Sequence, residues 1–595
     1  MCRIAGIISN KENQQRLYHN VKAMCNAMAH GGPDDEGISS DDYTGFVFGH
    51  RRLALIDLSP TGHQPMKYRG LLITFNGEIY NYLILKEELI QKGYTFTTTS
   101  DTEVILAGYQ HWGTTVFEKL EGMFAFALYD QDIDSTYLVR DQSGIKPLYY
   151  CTKDDQLIFA SEVKAFRASD YAFEENKDWK IYFLAFGHIP QPFTTLNKVY
   201  VLSGSSFLKW DHQTATHQII NFSETYLQAK INNHEEAAAK IKQGLTAAVK
   251  SHLIADTPVG VFLSGGIDSS ILTLLADTAT GENLKTLSIN FAEQAFSEAK
   301  YQELVASQTL GTHTSYLVTQ KDLEANFDQI LAAMDQPSND AINSWFVNKC
   351  AKENGLKAVL SGIGADELFG GYPSFKRMGY IRKLKVLPKL ILRWAEKLPS
   401  EKLNRIYYLS YSNPIGEYLF LRGFYTPAAI SKILQIPKKD IDLLLANFPI
   451  DRSIVQLEGG EKASWMETNL FMKNQLLKDT DFMSMAHGIE VRVPFLDQEL
   501  LKAIDQISNE IKFKTKYPKG LLIESFKDIL PEAIWNRPKM GFTFPLQGWL
   551  RENKKLTAPS LYHNNEFSKL QMEKFKAGKL HWSKAYALFQ VFSSQ

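Results

Sequence analysis

Two domains of different class are predicted from the sequence: a sheet-rich α+β domain over residues 2–210, and an α/β domain with a doubly wound parallel sheet and added helices over 235–595, joined by a linker at 211–234. Three observations carry this. Up to about residue 220, β-branched and aromatic runs are short and punctuated by Gly, Asp and Pro. From Glu235 onward, amphipathic stretches of helical period alternate with short apolar ones. Between the two textures, Lys209 to Glu235 is polar and has neither period.

In chain order, strands are expected at Thr44 to Phe48, Leu71 to Phe75, Gly122 to Tyr129 and Ser135 to Val139, with helices near Asn81 to Lys92 and Thr102 to Trp112. The second domain opens with a helix at Glu235 to Lys250, then strand Val259 to Leu263, helix Ser269 to Ala279, strand Leu284 to Asn290, helix Glu298 to Leu310 and strand Ala358 to Leu360. That alternation is what a parallel sheet covered on both faces requires. Asn76-Gly77 taken alone is a hairpin-turn signal.

Composition excludes several classes. Of 595 residues 44% are hydrophobic and 22% charged, the balance of a folded globular chain. Lys plus Arg number 65 against 66 Asp plus Glu, a net charge of -1, so no global field recruits nucleic acid or an acidic membrane. Four widely spaced cysteines without a CxxC pair make neither a disulfide framework nor a cysteine zinc site. A reducing cytoplasm is expected, and neither a signal-peptide core nor a spanning apolar run is visible. Lys376, Arg377, Arg382, Lys383, Lys385, Lys389 and Arg393 alternate with apolar residues. That spacing fits a nucleic-acid face or, as the commoner case, the solvated side of ordinary helices. Neither a nucleic-acid nor a membrane partner is expected.

The most specific motif is Ser264-Gly265-Gly266-Ile267-Asp268-Ser269-Ser270, lying between an apolar strand and a helix. Glycines let backbone approach phosphate, the helix start offers unpaired N–H groups, and hydroxyls complete the cradle. It lacks the lysine of a Walker A loop, which disfavours a kinase-like site. A second loop, Ser361-Gly362-Ile363-Gly364-Ala365-Asp366-Glu367-Leu368-Phe369-Gly370-Gly371-Tyr372, follows another apolar strand. Asp268 and Asp366 thus stand at two strand ends, a pairing that suits Mg²⁺ bridging the phosphates of ATP.

At the other end of the chain, Met1-Cys2-Arg3 would place a thiol beside a free α-amino group once Met1 is removed. An amine titrating near ~7.7–8.0 can serve as base toward that thiol, with no histidine required.

These features converge on a resemblance. The two loops, with His487-Gly488-Ile489-Glu490-Val491-Arg492-Val493-Pro494-Phe495-Leu496-Asp497 and Arg537-Pro538-Lys539-Met540-Gly541-Phe542, resemble the PP-loop synthetase domain of glutamine-hydrolysing asparagine synthetases. His50-Arg51-Arg52-Leu53, Gly62-His63-Gln64-Pro65, Asn76-Gly77-Glu78-Ile79-Tyr80-Asn81, Ser100-Asp101-Thr102-Glu103 and Gly144-Ile145-Lys146-Pro147 resemble the class II glutamine amidotransferase domain of the same family. The resemblance implies an Ntn-hydrolase αββα sandwich first and a PP-loop sheet second. It implies that glutamine is hydrolysed at Cys2, and that ATP activates a carboxylate, foremost aspartate, as its adenylate.

Carried over by position, the resemblance implies that Arg52, with Leu55, Ile56, Glu78 and Asp101, binds glutamine and that Asn76 with Gly77 forms the oxyanion hole. Leu263, Ser264, Gly265, Gly266, Asp268, Ser269, Ser270, Ile289, Ser361 and Gly362 would hold ATP, Asp268 and Asp366 would hold Mg²⁺, and Lys539 would support the reacting phosphate. The turn at Asn76-Gly77 and the oxyanion hole would then be one structure. A homodimer and an internal ammonia passage are implied in the same way. A sulfurtransferase or tRNA-modifying reading of the first loop leaves the N-terminal domain unexplained.

Five positions depart from the family pattern. Gly31 stands where Arg is usual, so glutamine binding is expected to weaken or to fall to another residue; Gln142-Ser143 replaces Arg-Phe/Tyr; Gln336 stands where Glu is usual; and Ile363 replaces an acidic residue near the reacting carboxylate. An apolar side chain at 363 cannot accept a proton, so the acceptor could instead be another carboxylate, such as a uronic acid or a secondary-metabolite precursor.

Overall fold

The computed structural model describes residues 2–39, 45–222, 230–398 and 400–593. Two six-stranded antiparallel sheets form the N-terminal domain. The first runs in space Tyr200–Val201, Tyr149–Lys153, Gln156–Ala160, Arg3–Ser9, Phe46–Arg52, Asp35–Ile38. The second runs Thr216–Asn221, Ser206–Asp211, Ser135–Arg140, Gly122–Asp130, Leu71–Ile79, Met66–Tyr68.

Strand alternation explains the stacking. Along Arg3–Ser9, Ile4 and Ile8 point between the sheets with Phe48, Leu72 and Phe159, while Ala5 and Ile7 point outward under helix Gln14–Ala27 with Leu17 and Val21. On the far side Val104 and Ile105 of helix Asp101–Trp112 cover Phe75 and Phe126 of the second sheet. The result is the expected αββα sandwich, and it buries strand Arg3–Ser9, which follows Cys2, on both faces.

Two expectations change here. Asn76 and Gly77 lie inside the nine-residue strand Leu71–Ile79, opposite Ala125 and Phe124, so they form no hairpin turn. Residues 216–221, assigned to the linker, form an edge strand paired along its length with Ser206–Asp211. Residues 223–229 of that linker, and Thr44 of an expected strand, lie outside the described residues.

The second domain has a five-stranded, all-parallel sheet in the order Thr312–Val318, Lys285–Phe291, Val259–Phe262, Ala358–Leu360, Glu490–Arg492. The chain enters in the middle, winds outward, then returns to the other side of its first strand. The winding direction reverses between Val259–Phe262 and Ala358–Leu360, and ligands of doubly wound sheets bind at that crevice. Both loops singled out above emerge there. Helices His234–His252 and Ile267–Thr280 cover one face through Leu245, Val249, Ile271 and Leu272, and helix Ala341–Glu353 covers the other through Cys350 and Ala351. Beyond the sheet, the C-terminal helices share one large core with helix Trp179–Phe186 of the first domain.

Candidate active sites of the two domains

Cys2 directly precedes strand Arg3–Ser9 and is 7% exposed. Its backbone nitrogen donates to Asn76 Oδ1 at 3.0 Å across the sandwich, and its thiol faces the Leu53 carbonyl at 4.0 Å. Burial pushes the thiol's pKa up. Because Oδ1 of Asn76 is engaged, its amide is oriented with Nδ2 inward, buried and without a partner among the described residues. A buried unpaired donor is costly unless something accepts from it. Gly77, at φ +155°, is required next to it, since a Cβ there would lie 2.1 Å from the Met123 carbonyl.

Arg52 is held by carbonyls of the loop that follows its strand, donating to Ser59 O at 3.0 Å, to Ile56 O at 3.5 Å and to Asp57 O. Leu55 and Ile56 belong to that loop and are buried. Asp101 begins helix Asp101–Trp112 behind the N-cap Ser100 and accepts from Ile79 N at 3.0 Å. Glu78 and Asp101 are both buried carboxylates. Burial, then Glu490 and Asp101, raise Glu78 well above the usual range; burial carries Asp101 up to about 6. An ammonium between them would relieve both penalties.

The pH dependence follows in sign. Asp101 takes up its proton as pH falls through about 6 and then no longer attracts an ammonium. Glutamine kcat/KM is therefore expected to fall as pH drops through that value, and Asp101→Asn should change the limb, leaving the contribution of Glu78, which burial also raises. A flat profile across about pH 5 to 8 would contradict it.

The synthetase domain contributes to this site, which the sequence did not announce. Arg492 is fully buried on strand Glu490–Arg492, its guanidinium donating to Glu490 Oε1 at 2.5 Å and to the carbonyls of His252 and Ile254 at 2.8 and 2.7 Å. Its remaining Nη2 faces Glu78 Oε2 at 3.7 Å, and neither atom has a hydrogen-bond partner among the described residues. Removing this cation by Arg492→Met is expected to raise the KM for glutamine about tenfold while Arg492→Lys restores part of it.

The Gly31 departure is explained by a neighbour. A Cβ at Gly31 would lie 2.7 Å from Cγ of Arg3, whose buried guanidinium pairs with Glu162 at 2.5 Å and with Asp481 of the second domain at 2.8 Å. Gly31 makes room for this interdomain ion pair. Gln336 likewise sits at the interface, accepting from Thr195 N and donating to Tyr149 Oη, away from the nucleotide loops. Ser143 is buried in a turn organised by Asp141, whose carboxylate accepts from Ile145 and Lys146 N–H groups at 2.9 Å.

At the switch point a cleft of about 1950 Å³ opens, with Leu263 and Ile289 at one side, Ser264, Gly266, Asp268 and Ser269 on the first loop, and Ser361, Gly362, Ile363 and Asp366 on the second. The first loop is pre-shaped by its own hydroxyls: Ser269 Oγ accepts from Ser264 N at 3.1 Å, and Ser264 Oγ from Gly266 N at 3.3 Å. Gly265 points its carbonyl to Arg537 Nη2 at 2.9 Å, and Arg537 is fixed in turn by Glu298. Ser270 does not reach the cleft; it is fully buried under its helix, because the helix turns it inward.

Asp268 and Asp366 do meet, bridged by a residue no motif pointed to. Lys519 Nζ lies 2.5 Å from both Asp268 Oδ2 and Asp366 Oδ1, and Lys539 Nζ reaches Asp366 Oδ1 at 2.5 Å. Burial works against the Lys519 charge, but the two carboxylates more than offset it and raise its pKa. In sequence Lys519 is one lysine in a turn after Pro518, with nothing to mark it. Asp268 Oδ1 remains buried and unpartnered. No cluster of three or more His, Cys, Asp or Glu able to hold a metal occurs among the described residues. Two carboxylates with one orphaned oxygen do fit Mg²⁺ whose other positions are filled by phosphate and water.

A buried cysteine at position 2 of an αββα sandwich, docked on a nucleotide-type sheet, marks a two-domain glutamine-dependent amidotransferase. A glutamine amidotransferase family model matches residues 1–221 and an asparagine synthase family model matches residues 240–579. The chain belongs to the glutamine-hydrolysing asparagine synthetase family, whose members use ATP. It is 33% identical over 573 residues to the glutamine-hydrolyzing asparagine synthetase 1 of Bacillus subtilis, covering 93% of this chain and 88% of that one. Asparagine synthetase 3 of the same organism is 28% identical, covering 91% and 87%. Amidase chry2 of Gibberella zeae is 25% identical, covering 92% and 90%.

Proposed function

We propose that the chain converts aspartate to asparagine, with glutamine as nitrogen donor, through a β-aspartyl adenylate. The observation that carries it is the meeting of Asp268, Asp366, Lys519 and Lys539 at the sheet's switch point. Met1 removal frees the Cys2 amine, which Asn76 Oδ1 orients and which takes the thiol proton. The thiolate attacks the γ-carboxamide carbon of glutamine while Arg52 holds its carboxylate and Glu78 with Asp101 its ammonium. Asn76 Nδ2 and the Gly77 N–H take the developing oxyanion. The amine returns the proton to departing ammonia, and water cleaves the thioester to glutamate.

In the second domain a carboxylate oxygen of aspartate attacks the α-phosphorus of ATP and pyrophosphate leaves. Asp268 and Asp366 would hold Mg²⁺, which supplies positive charge to the pyrophosphate. Lys519 and Lys539 neutralise charge on the leaving group, and the hydroxyls and N–H groups at Ser264, Gly266 and Ser269 cradle it. Ammonia, arriving by an internal passage, then attacks the acyl carbon, loses a proton and expels AMP. The same reading includes a homodimer and a reducing compartment, in keeping with four free, buried cysteines.

One observation favours a second acceptor class. Ile363 places an apolar side chain in the cleft, and the cleft continues beyond the loops along helix Pro373–Leu384, with room for a carboxylate larger than aspartate, such as a uronic acid. Pyrophosphate release from Mg-ATP across a panel of carboxylates decides between them. Strong preference for aspartate with stoichiometric asparagine supports the first, and no response to aspartate removes it.

A further inference from the structure

Residues 376–394 contain seven cations, Lys376, Arg377, Arg382, Lys383, Lys385, Lys389 and Arg393, and no carboxylate. They form helix Pro373–Leu384, a short tip and helix Lys389–Trp394. Met378, Ile381 and Leu392 hold this hairpin to the large helical core, so its inner face is already filled. Its outer face is nevertheless apolar: Val386 is 82% exposed, Leu390 78% and Trp394 65%, flanked by exposed Tyr380, Leu387 and Ile391. Lys385 is engaged by Glu417 and Lys389 by Ser412, while Lys376, Arg377, Arg382, Lys383 and Arg393 are exposed and have no ion-pair partner among the described residues.

We infer that this hairpin docks the protein on an anionic phospholipid surface. Exposed aliphatic and tryptophan side chains enter the acyl boundary, and the surrounding lysines and arginines meet the lipid phosphates. Such a contact needs no spanning helix, and none of the described helices is long and apolar enough to cross a membrane. A nucleic acid would use the cations but would leave Val386, Leu390 and Ile391 against phosphate and water. A second copy meeting this face about a twofold axis would set seven cations against seven, uncompensated by any acid in the segment. The amphipathic face therefore matches a lipid surface and neither alternative. Lys376, Arg382 and Lys383 also line the cleft, so docking would set the cleft mouth beside the membrane. The inference does not depend on which carboxylate the enzyme amidates.

The test is sedimentation of the full chain with vesicles of phosphatidylcholine alone and of phosphatidylcholine with phosphatidylglycerol, at low and high salt. Binding is expected to the mixed vesicles only and to weaken with salt. The pairs Leu390→Glu with Trp394→Glu, and Arg377→Glu with Arg393→Glu, should each lower the bound fraction about tenfold while glutaminase turnover stays at the wild-type level. Equal binding to neutral vesicles, or undiminished binding by either pair, overturns the inference. So does a wild-type dimer that the apolar pair converts to a monomer, because the face is then an interface between copies. Duplex DNA binding without vesicle binding overturns it as well.

Discussion

Cys2→Ala will release no measurable glutamate from glutamine and will make no amide product with glutamine as donor, yet it will make that product from ammonium salts at the wild-type rate. The loss should reach about a thousandfold or more, since a covalent step has no substitute once its nucleophile is gone. Retention of the ammonia reaction follows from the geometry. The hydrogen-bond partners of Cys2, Asn76 and the Leu53 carbonyl, both belong to the first domain, and its neighbour Arg3 pairs with Asp481 of the second. Alanine at position 2 leaves the hydrogen bond from backbone nitrogen to Asn76 intact, so the fold should be undisturbed. Glutamate release measured beside product formation from both nitrogen donors checks the division. Loss of both activities in a folded variant would mean that the thiol serves the synthetase domain too.

Lys519→Ala is expected to have the reverse effect: glutaminase turnover persists while ATP-dependent pyrophosphate release falls about a thousandfold. Without this buried cation, Asp268 and Asp366 face one another across a site that must also accept a polyphosphate. Removing one member of a buried ion pair typically costs about 3–5 kcal/mol, much of it from the charge left behind. Lys539, itself 41% exposed at the side chain, donates to Asp366 and to the Gly371 carbonyl but not to Asp268, and cannot replace the bridge. Lys539→Ala should therefore cost less than Lys519→Ala. Pyrophosphate release at saturating Mg-ATP, with glutaminase as the control for folding, measures both. An order of effect with Lys539 first would contradict the bridging role.

The two lysines also show what a linear reading can reach. Lys539 was found through Arg537-Pro538-Lys539-Met540-Gly541-Phe542, a run with a recognisable family pattern. Lys519 sits in Tyr517-Pro518-Lys519-Gly520, where nothing local separates it from a solvated turn lysine. Its importance arises from two carboxylates 251 and 153 positions away in sequence, brought to one point by the return of the chain across the sheet. Gly31 and Arg3 teach the same lesson in reverse. Where the family usually has an arginine, the structure packs the side chain of Arg3 against Gly31.

By itself the sequence determined the two domain classes, the order of the glutaminase and synthetase parts, and most of the residues that meet in each site. Strand and helix periods, and loops whose chemistry depends on neighbours in sequence, are local properties that short-range physics imposes. Only the tertiary structure decided that Asn76-Gly77 is strand and not turn, that Ser270 faces the core, and that Gln336 belongs to an interface. It also supplied Lys519 and Arg492, and set the exposed cations of residues 376–393 beside exposed Val386, Leu390 and Trp394. Each of these rests on pairing and burial between distant segments, and those long-range contacts leave no mark on the residues taken one window at a time.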